Sequence, residues 1–439
     1  MARATGATTA SALPDDLLRD IFSRVPDPVD LLRCAGTCRR WLGLIGDPAF
    51  LRRTGGLLPE TGRRASFLVG AFCQEAALAS ALKPMKKEST WPPQFLRLHA
   101  PPAGGGRPSF LPNDDGLLNY AKPLASRHGL LLVRIMPTPL DRQKLHLAVS
   151  HPLIGERSTR LVPPPPVDLD PKLFGDDITC YALVTAADHG TAAGQLDKHG
   201  QPAFQVLLTA VQSDDQSVYA YSYSSATDGW SAPIKCLQAS GLTMSGPRAG
   251  TVTHGVVHWL YRDKTNFYTL GISADSPAHT ASLTRIGIQI QVECDHLPML
   301  QPPFPCIVGG TLSFVHRRNT GMLELWTKRE QDDHGGGWLC SELMFEETNE
   351  ITIIAFVESR GVMLVQNGNH LVTVDLESKE VEPVTGDGSI GSYTRELCGW
   401  VRCQGRNSCG DCTYNKLVTY EMNWPSYILH LCSGRLEAH

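Results

Sequence analysis

The stretch LPDDLLRDIFSRVPDPVDLLRCAGTCRRWLGLIGDPAFLRR, residues 13–53, decides how the rest of the chain is read. Leu13, Leu17, Leu18, Ile21, Phe22 and Val25 recur at intervals that place them on one face of a short helix. Pro14 suits a first helical position, where its missing N–H costs nothing, and Asp15 and Asp16 complement the positive end of the helix dipole. Pro26 stops this helix. Asp27-Pro28 reads as an N-cap followed by a first-turn proline. Leu31, Leu32, Cys34, Ala35, Cys38, Trp41, Leu42 and Ile45 then form the apolar side of a second helix, with Arg33, Arg39 and Arg40 toward solvent. Asp47-Pro48 repeats the start signal for a third, shorter helix through Ala49, Phe50 and Leu51.

A unit of about 40 residues cannot bury this much Leu, Ile, Phe and Trp by itself. It must dock on another surface, either the rest of the chain or a second protein. A helical element packed inside its own domain is the alternative that the periodicity alone leaves open. The detailed pattern goes further, because LPDDLLRDIFSRVP, DLLRCAGTCRRW and GDPAFLRR follow one another as the start, middle and exit of the F-box do. The stretch resembles that family, with Gly36 and Thr37 as departures from its usual pattern. The mid-helix glycine costs up to ~1 kcal/mol relative to alanine.

The resemblance implies a non-catalytic bridge: a helical unit that binds the Skp-type adaptor and, through it, a cullin–RING core. The family positions carried over as adaptor-facing, or as supporting that face, are Leu13, Pro14, Leu17, Leu18, Ile21, Phe22, Val25, Pro26, Leu31, Leu32, Cys38 and Trp41. Of these, Leu17, Ile21 and Phe22 are expected to be buried against the adaptor.

Past residue 57 helical periodicity nearly vanishes, and short apolar runs alternate with Pro, Gly, Asp and Asn clusters. SFLVGAFC (66–73) and QFLRLHA (94–100) read as strands, followed by SRHGLLLVRI (126–135), KLHLAVSHP (144–152), TCYALVTAA (179–187), FQVLLTAVQ (204–212) and SVYAYSYSS (217–225). The prolines at 163–166 read as a rigid loop rather than an SH3 or WW ligand. Tyr219, Tyr221 and Tyr223 share a strand face, for which cross-strand packing is the commoner use. Further on, THGVVHWLYR, GTLSFVHRR, ITIIAFVE and GVMLVQ repeat a theme in which Gly or His-Gly precedes a β-rich run.

The theme returns at Gly129, Gly255, Gly310 and Gly361. The later intervals are about 50 residues, the period of a propeller blade of some four strands, and the first interval spans two units. Six or seven blades fit the length; a sandwich or two smaller β domains is the alternative. SRHGLLLVRI, AVSHPLIGERSTRLVPPPP, YAYSYSSATDGWSAP and THGVVHWLY together look like the F-box-associated propeller of plant proteins, the grass-type expansion above all. The double-glycine signature of kelch blades is approached only at Gly309-Gly310, and the Trp-Asp dipeptide of the other common propeller family is missing. The expected architecture is therefore α+β and multidomain: a tail at 1–10, F-box helices at 11–56 and a large all-β domain, most simply a β-propeller, at 57–435.

Composition narrows the function further. A formal charge of -4 over 439 residues gives no electrostatic case for nucleic acid or an acidic membrane. No apolar run approaches the ~20 residues needed to cross a bilayer. The 13 cysteines follow no repeated spacing, which suits free thiols in a reducing compartment, cytoplasmic or nuclear. Cys398, Cys403, Cys409 and Cys412 are the one cluster with metal-like spacing, since Cys409 and Cys412 have the two-residue gap of a zinc knuckle. The gap between the two pairs is short for a zinc ribbon, and a loop of free thiols is the preferred reading. His254 and His258 on a strand would stand about 13 Å apart, too far for one metal ion. No phosphate loop, nucleophile elbow or paired-carboxylate site is legible, so neither enzyme activity nor a cofactor is expected. A substrate-recognition subunit of an SCF-type ubiquitin ligase, binding a target protein not readable from sequence, is the leading expectation. A small-molecule receptor, or an adaptor binder outside any cullin complex, is the alternative.

Overall fold

The computed structural model describes residues 13–25, 28–54, 66–73, 94–97, 121–135, 146–152, 159–165, 180–189, 203–212, 217–238, 241–274, 280–289, 302–319, 322–329, 337–344, 351–358, 361–367, 370–384, 417–425, 427–428 and 432. The chain divides into two compact units: Met1–Phe67 with Pro101–Pro108 and Met422–His439, and Leu68–Ala100 with Ser109–Glu421. The tail at 1–10, Pro26, Asp27, Pro166 and the cysteine cluster at 398–412 lie outside the described residues. Among the described residues no helix is long and apolar enough to cross a membrane.

The first unit carries α1 (Asp15–Ser23), α2 (Pro28–Thr37), α3 (Arg39–Ile45) and α4 (Pro48–Thr54). The single helix expected from Pro28 to Ile45 is thus two. Thr37 Oγ1 donates back to the Cys34 carbonyl at 2.7 Å, and Cys38 is fully extended at φ -158°, ψ 162°. Its Sγ accepts from Trp41 N and caps α3. Gly36, which adds no side chain to hold the turn, precedes this break. Pro14 sits at the N-cap of α1 rather than inside it, leaving Asp15 and Asp16 in the first turn. Asp47 performs the cap expected of it, with Oδ1 accepting from Ala49 N at 2.8 Å.

The core of this unit joins Leu18 and Phe22 of α1 to Leu31, Leu32, Ala35, Leu42, Ile45 and Phe50. Phe22 meets Trp41 edge-on, ring centroids 5.1 Å apart. Part of the apolar surplus noted in the sequence is covered from the far end of the chain, where Trp424 and Ile428 are fully buried. Met422–His439 groups with the helices, whereas the sequence reading carried the β domain on to 435. Gly46 marks the approach: a Cβ there would lie 2.5 Å from Cys432 Sγ, 2.9 Å from the Leu42 carbonyl oxygen and 3.3 Å from Ile428 Cγ2. Replacing Gly46 with valine is therefore expected to destabilise this unit by about 1–3 kcal/mol, the usual cost of overpacking. Thermal unfolding of the full chain checks this, with Cys432→Ala in the same chain recovering only part of the loss because the Leu42 carbonyl stays where it is.

The second unit is all β. Its five blades are built from consecutive strands. The first contains β3 (Lys122–Arg127), β4 (Leu130–Ile135), β5 (His146–Ser150) and β6 (Arg160–Val162). The second contains β7 (Cys180–Thr185), β8 (Phe204–Gln212), β9 (Ser217–Ser224), β10 (Gly229–Trp230) and β11 (Ile234–Gln238). The third contains β12 (Thr243–Met244), β13 (Thr251–Thr253), β14 (Val256–Arg262), β15 (Asn266–Ser273) and β16 (Ala281–Gln289). The fourth is β17 (Phe304–Val308), β18 (Thr311–Asn319), β19 (Met322–Lys328) and β20 (Trp338–Met344). The fifth is β21 (Ile351–Val357), β22 (Val362–Asn367), β23 (His370–Asp375) and β24 (Val381–Pro383). A further three-stranded sheet, in the order β2-β1-β25, combines β1 (Ser66–Cys73) and β2 (Gln94–Arg97) with β25 (Leu417–Asn423). All described pairings within the sheets are antiparallel, as short meander connections require.

Apolar clusters show that the sheets form a ring. One joins the first blade to the second through Leu132, Val149, Leu208 and Tyr221. Others join second to third, third to fourth and fourth to fifth. Leu68, Ala71 and Leu417 then pack on Ile354 and Leu364 of the fifth blade, while Phe72 and Tyr420 pack on Leu131 and Val133 of the first. Among the described residues the three-stranded sheet therefore closes a ring with the five blades, using strands from both ends of the unit. That ring, among the described residues, consists of five blades of four or five strands and this three-stranded sheet, where the length suggests six or seven blades.

The glycine theme corresponds to the hairpins that join β3 to β4, β13 to β14 and β17 to β18. Arg127 pairs with Leu130 across His128-Gly129, Thr253 with Val256 across His254-Gly255, and Val308 with Thr311 across Gly309-Gly310. Both central residues of each have positive φ, 47° and 85°, 48° and 72°, 55° and 78°. That is the two-residue turn whose twist matches antiparallel strands, and glycine at its second position carries no steric cost. The second blade lacks this turn and has a 3₁₀ turn, Ala186–His189, after β7 instead, which is why the first Gly interval was long. Tyr221 and Tyr223 are buried in the first apolar cluster and Tyr219 packs against it, so the tyrosine stripe is core. Pro163 follows β6, and its carbonyl accepts the Trp230 indole N–H at 2.8 Å.

Candidate functional site

Two places stand out, one in each unit. In the helical unit the apolar face of α1 divides in two. Leu18 and Phe22 turn inward at 2% and 1% exposure, whereas Leu13, Leu17 and Ile21 remain 37%, 51% and 48% exposed. Leu17 and Ile21 are four apart, so they stand one above the other on the outer side of the helix, with Leu13 four residues before them. Large exposed apolar side chains in such a row are the unusual feature of a surface, not isolated ones.

The row is held in place by Arg40, whose Nη2 donates to the Leu13 carbonyl at 2.6 Å and whose Nε and Nη2 reach Asp15 Oδ1 at 2.9 and 2.6 Å. Arg19 reaches Asp47 Oδ2 at 3.4 Å and ties α1 to the start of α4. Of the other positions read from sequence, Pro14 and Cys38 are exposed, Val25 and Trp41 are half-buried, and Leu31 and Leu32 are buried. Leu18, Phe22, Leu31 and Leu32 thus support the face from beneath. Phe22, expected on the face itself, belongs to the core, because it turns inward and meets Trp41 edge-on. The part played by Arg40 was not legible: an arginine on the polar side of a helix reads as solvated until its partner in another helix is known.

In the β unit β3, β7, β13, β17 and β21, with β25, border a cavity of about 140 Å³ at the centre of the ring; Ser126, Tyr181, Thr251, Phe304, Phe356 and Thr419 each line it from a different sheet. At one side stands Arg127, 11% exposed. Its Nε and Nη2 donate to Asp188 Oδ1 at 2.7 and 2.5 Å, Nη2 also to the Val252 carbonyl at 3.1 Å, and Nη1 to Glu358 Oε2. One guanidinium therefore ties together the first, second, third and fifth blades. Asp188 Oδ2 accepts in addition from Thr185 N and Oγ1 at 2.7 and 3.0 Å. Burial by itself would raise the Asp188 carboxyl, but the charge and hydrogen bonds of Arg127 and the Thr185 N–H hold it below the ordinary range. Burial likewise works to lower Arg127, and Glu358 and Asp188 more than reverse it, so the guanidinium stays charged. None of these three residues was singled out from sequence. Each sits beside a turn, where charge is ordinary, and only ring closure brings them together.

The two histidines considered for metal binding part company. His254 occupies a turn, hydrogen-bonded to Thr253 Oγ1 at 3.1 Å, and His258 lies on β14 opposite Gly271. The ring of His258 fills the space a Cβ at Gly271 would need, with Cε1 and Nδ1 3.2 Å from that point. Burial, with Lys328 adding to it, pushes His258 down to about 4 from an ordinary 6.5. The unfolded chain then binds more protons than the folded one between those values, so stability falls as pH falls through that window. His258 is expected to remove about 2 kcal/mol between pH 7.5 and pH 5. Urea denaturation across that range checks the slope, which His258→Phe should flatten. Among the described residues no cluster of His, Cys, Asp and Glu has the arrangement of a metal site.

Comparison with known proteins bears on the helical stretch. An F-box-like family model matches residues 10–54, the helical stretch that carries Leu13, Leu17 and Ile21. The amino-terminal unit is thus an F-box-like domain preceding a β-propeller-like one. No curated protein matches. Among solved structures, prolyl oligopeptidase B from Galerina marginata is similar at 13% identity over 60% of this chain and 37% of its own, with a TM-score of 0.32. The WD40 domain of SCAP from fission yeast is similar at 9% identity over 60% and 57%, TM-score 0.32. An α-L-arabinanase from Penicillium chrysogenum is similar at 11% identity over 60% and 78%, TM-score 0.33.

Proposed function

We propose that this chain is the substrate-recognition subunit of an SCF-type ubiquitin ligase. The helical unit docks on a Skp-type adaptor through Leu13, Leu17 and Ile21, and the propeller holds a target protein for ubiquitination. The observation that carries the reading is the row of exposed apolar side chains on α1, inside the stretch that the F-box-like model matches. The resemblance of the β repeats to the F-box-associated propellers of plant proteins supports the pairing of the two parts. In this role the chain does no chemistry. It raises the rate of transfer by holding the target near the charged ubiquitin-conjugating enzyme, so proximity replaces any catalytic side chain. The compartment is the cytoplasm, the nucleus or both.

Co-expression of the full chain with a Skp-type adaptor and a cullin tests the reading. A complex of all three that survives gel filtration is the expected result. Recovery of the adaptor without the cullin would reduce the chain to an adaptor binder outside the ligase, and recovery of neither would overturn the docking assignment.

A further inference from the structure

We propose that Arg40 is a positioning residue for adaptor docking and that it acts through Leu13, an inference that rests on the docking of Leu13, Leu17 and Ile21 on a Skp-type adaptor. Leu17 and Ile21 stand on α1, and the helix itself fixes where they point. Leu13 lacks that support. It lies two residues ahead of α1, beyond Pro14, which takes the N-cap position at φ -60°, ψ 151° and makes no side-chain cap. Leu18 N donates to the Pro14 carbonyl at 3.1 Å, so helical bonding reaches back as far as residue 14 and stops short of Leu13. A helix start without a side-chain cap frays unless something else ties it down.

Arg40 supplies the tie from α3. Its Nη2 donates to the Leu13 carbonyl and, together with Nε, to Asp15 Oδ1, so one guanidinium grips the chain on either side of Pro14. The next residue, Trp41, meets Phe22 two turns further along α1. Consecutive residues of α3 therefore fix α1 at both ends, by a polar contact at its start and an aromatic one near its finish. The Arg40–Asp15 pair lies at the surface, with both side chains well exposed, and a pair of that kind contributes little to overall stability. Its effect is local. It holds Leu13 in place before the adaptor arrives, which removes an ordering cost from binding.

A double-mutant cycle in the full chain, read as affinity for a Skp-type adaptor by calorimetry, tests this. Arg40→Met is expected to weaken binding about fivefold and Leu13→Ala about tenfold. Together they should cost about tenfold rather than about fiftyfold, because Arg40 then has no side chain left to position. Combined with Ile21→Ala, Arg40→Met should keep its full effect. Arg40→Lys should not restore affinity, since an ammonium cannot make the forked bonds to a carbonyl and a carboxylate together. In the free chain, Arg40→Met should speed hydrogen exchange of the Leu18 amide while leaving helical content unchanged. Full additivity with Leu13→Ala, restored affinity in Arg40→Lys, or an unchanged Leu18 exchange rate would each overturn the proposal. Equal binding by the wild-type chain and Arg40→Met overturns this inference alone, whereas a wild-type chain that binds no adaptor overturns the docking reading and takes the inference with it.

Discussion

Arg127→Met is expected to destabilise the β unit by about 3–5 kcal/mol, the cost of leaving one partner of a buried ion pair without the other. Methionine fills much of the same volume, so the loss reports charge more than cavity. What is stranded is chiefly Asp188, whose side chain is only 2% exposed and which sits among groups arranged for an anion beside a cation. Glu358, at 30%, keeps some access to water and contributes less. The measurement is urea denaturation at pH 7, followed by fluorescence of the propeller tryptophans. Adding Asp188→Asn should return a large part of the loss, because the amide oxygen still accepts from Thr185 while the unpaired charge is gone. If Arg127→Met alone costs under 1 kcal/mol, the guanidinium is not the fastener that links four blades.

Leu17→Asp combined with Ile21→Asp is expected to weaken adaptor binding more than 100-fold, which is about 2.7 kcal/mol or greater. Both side chains are about half exposed, so the helix gives up little internal packing when they change. In a docked complex the same positions would place two carboxylates in an apolar contact, where an unpaired charge is far more expensive than the lost hydrophobic contribution. Phe22→Asp makes a poor control for this interface: it buries a charge against Trp41 and tests folding instead. Helical content by circular dichroism should be unchanged in the double variant. Undiminished affinity in that folded protein would move the docking surface elsewhere on the helical unit.

Much of the fold was legible because local physics sets it. The run 66–73 is β1 end to end, and 204–212 is β8, since β-branched and aromatic residues bounded by turn formers leave little choice. The His-Gly and Gly-Gly turns were legible for a stricter reason, the demand for positive φ at two adjacent positions. The division at Cys38 was not, because it depends on the Thr37 hydroxyl turning back to a carbonyl, an option open to any threonine. Pattern also identified the apolar face of α1 without saying which half faces out. That is decided by Trp41 and the neighbouring helices, which claim Phe22 and Leu18. The axial charges were hidden for a similar reason. Arg127, Asp188 and Glu358 look like turn residues in SRHG, AADHG and VESRG, and no periodicity reports that three turns in three blades converge. The closing sheet was equally silent, since a strand's sequence names its buried faces but not its partner.

That closing sheet also orders events in time. β1 and its partner β25 are separated by more than 300 residues of chain. At roughly 5–20 residues per second, β1 waits ~15–70 s after its own synthesis before β25 exists to cover its inner edge. Ile428 and Cys432, which complete the packing around Gly46, emerge later still. A nascent chain therefore carries an open strand edge and an unfinished helical core while the more than 300 residues between β1 and β25 are made. A product that stops short of residue 417 lacks both the strand that closes the ring and the residues that pack on Gly46, so both units wait on the same late segment of chain.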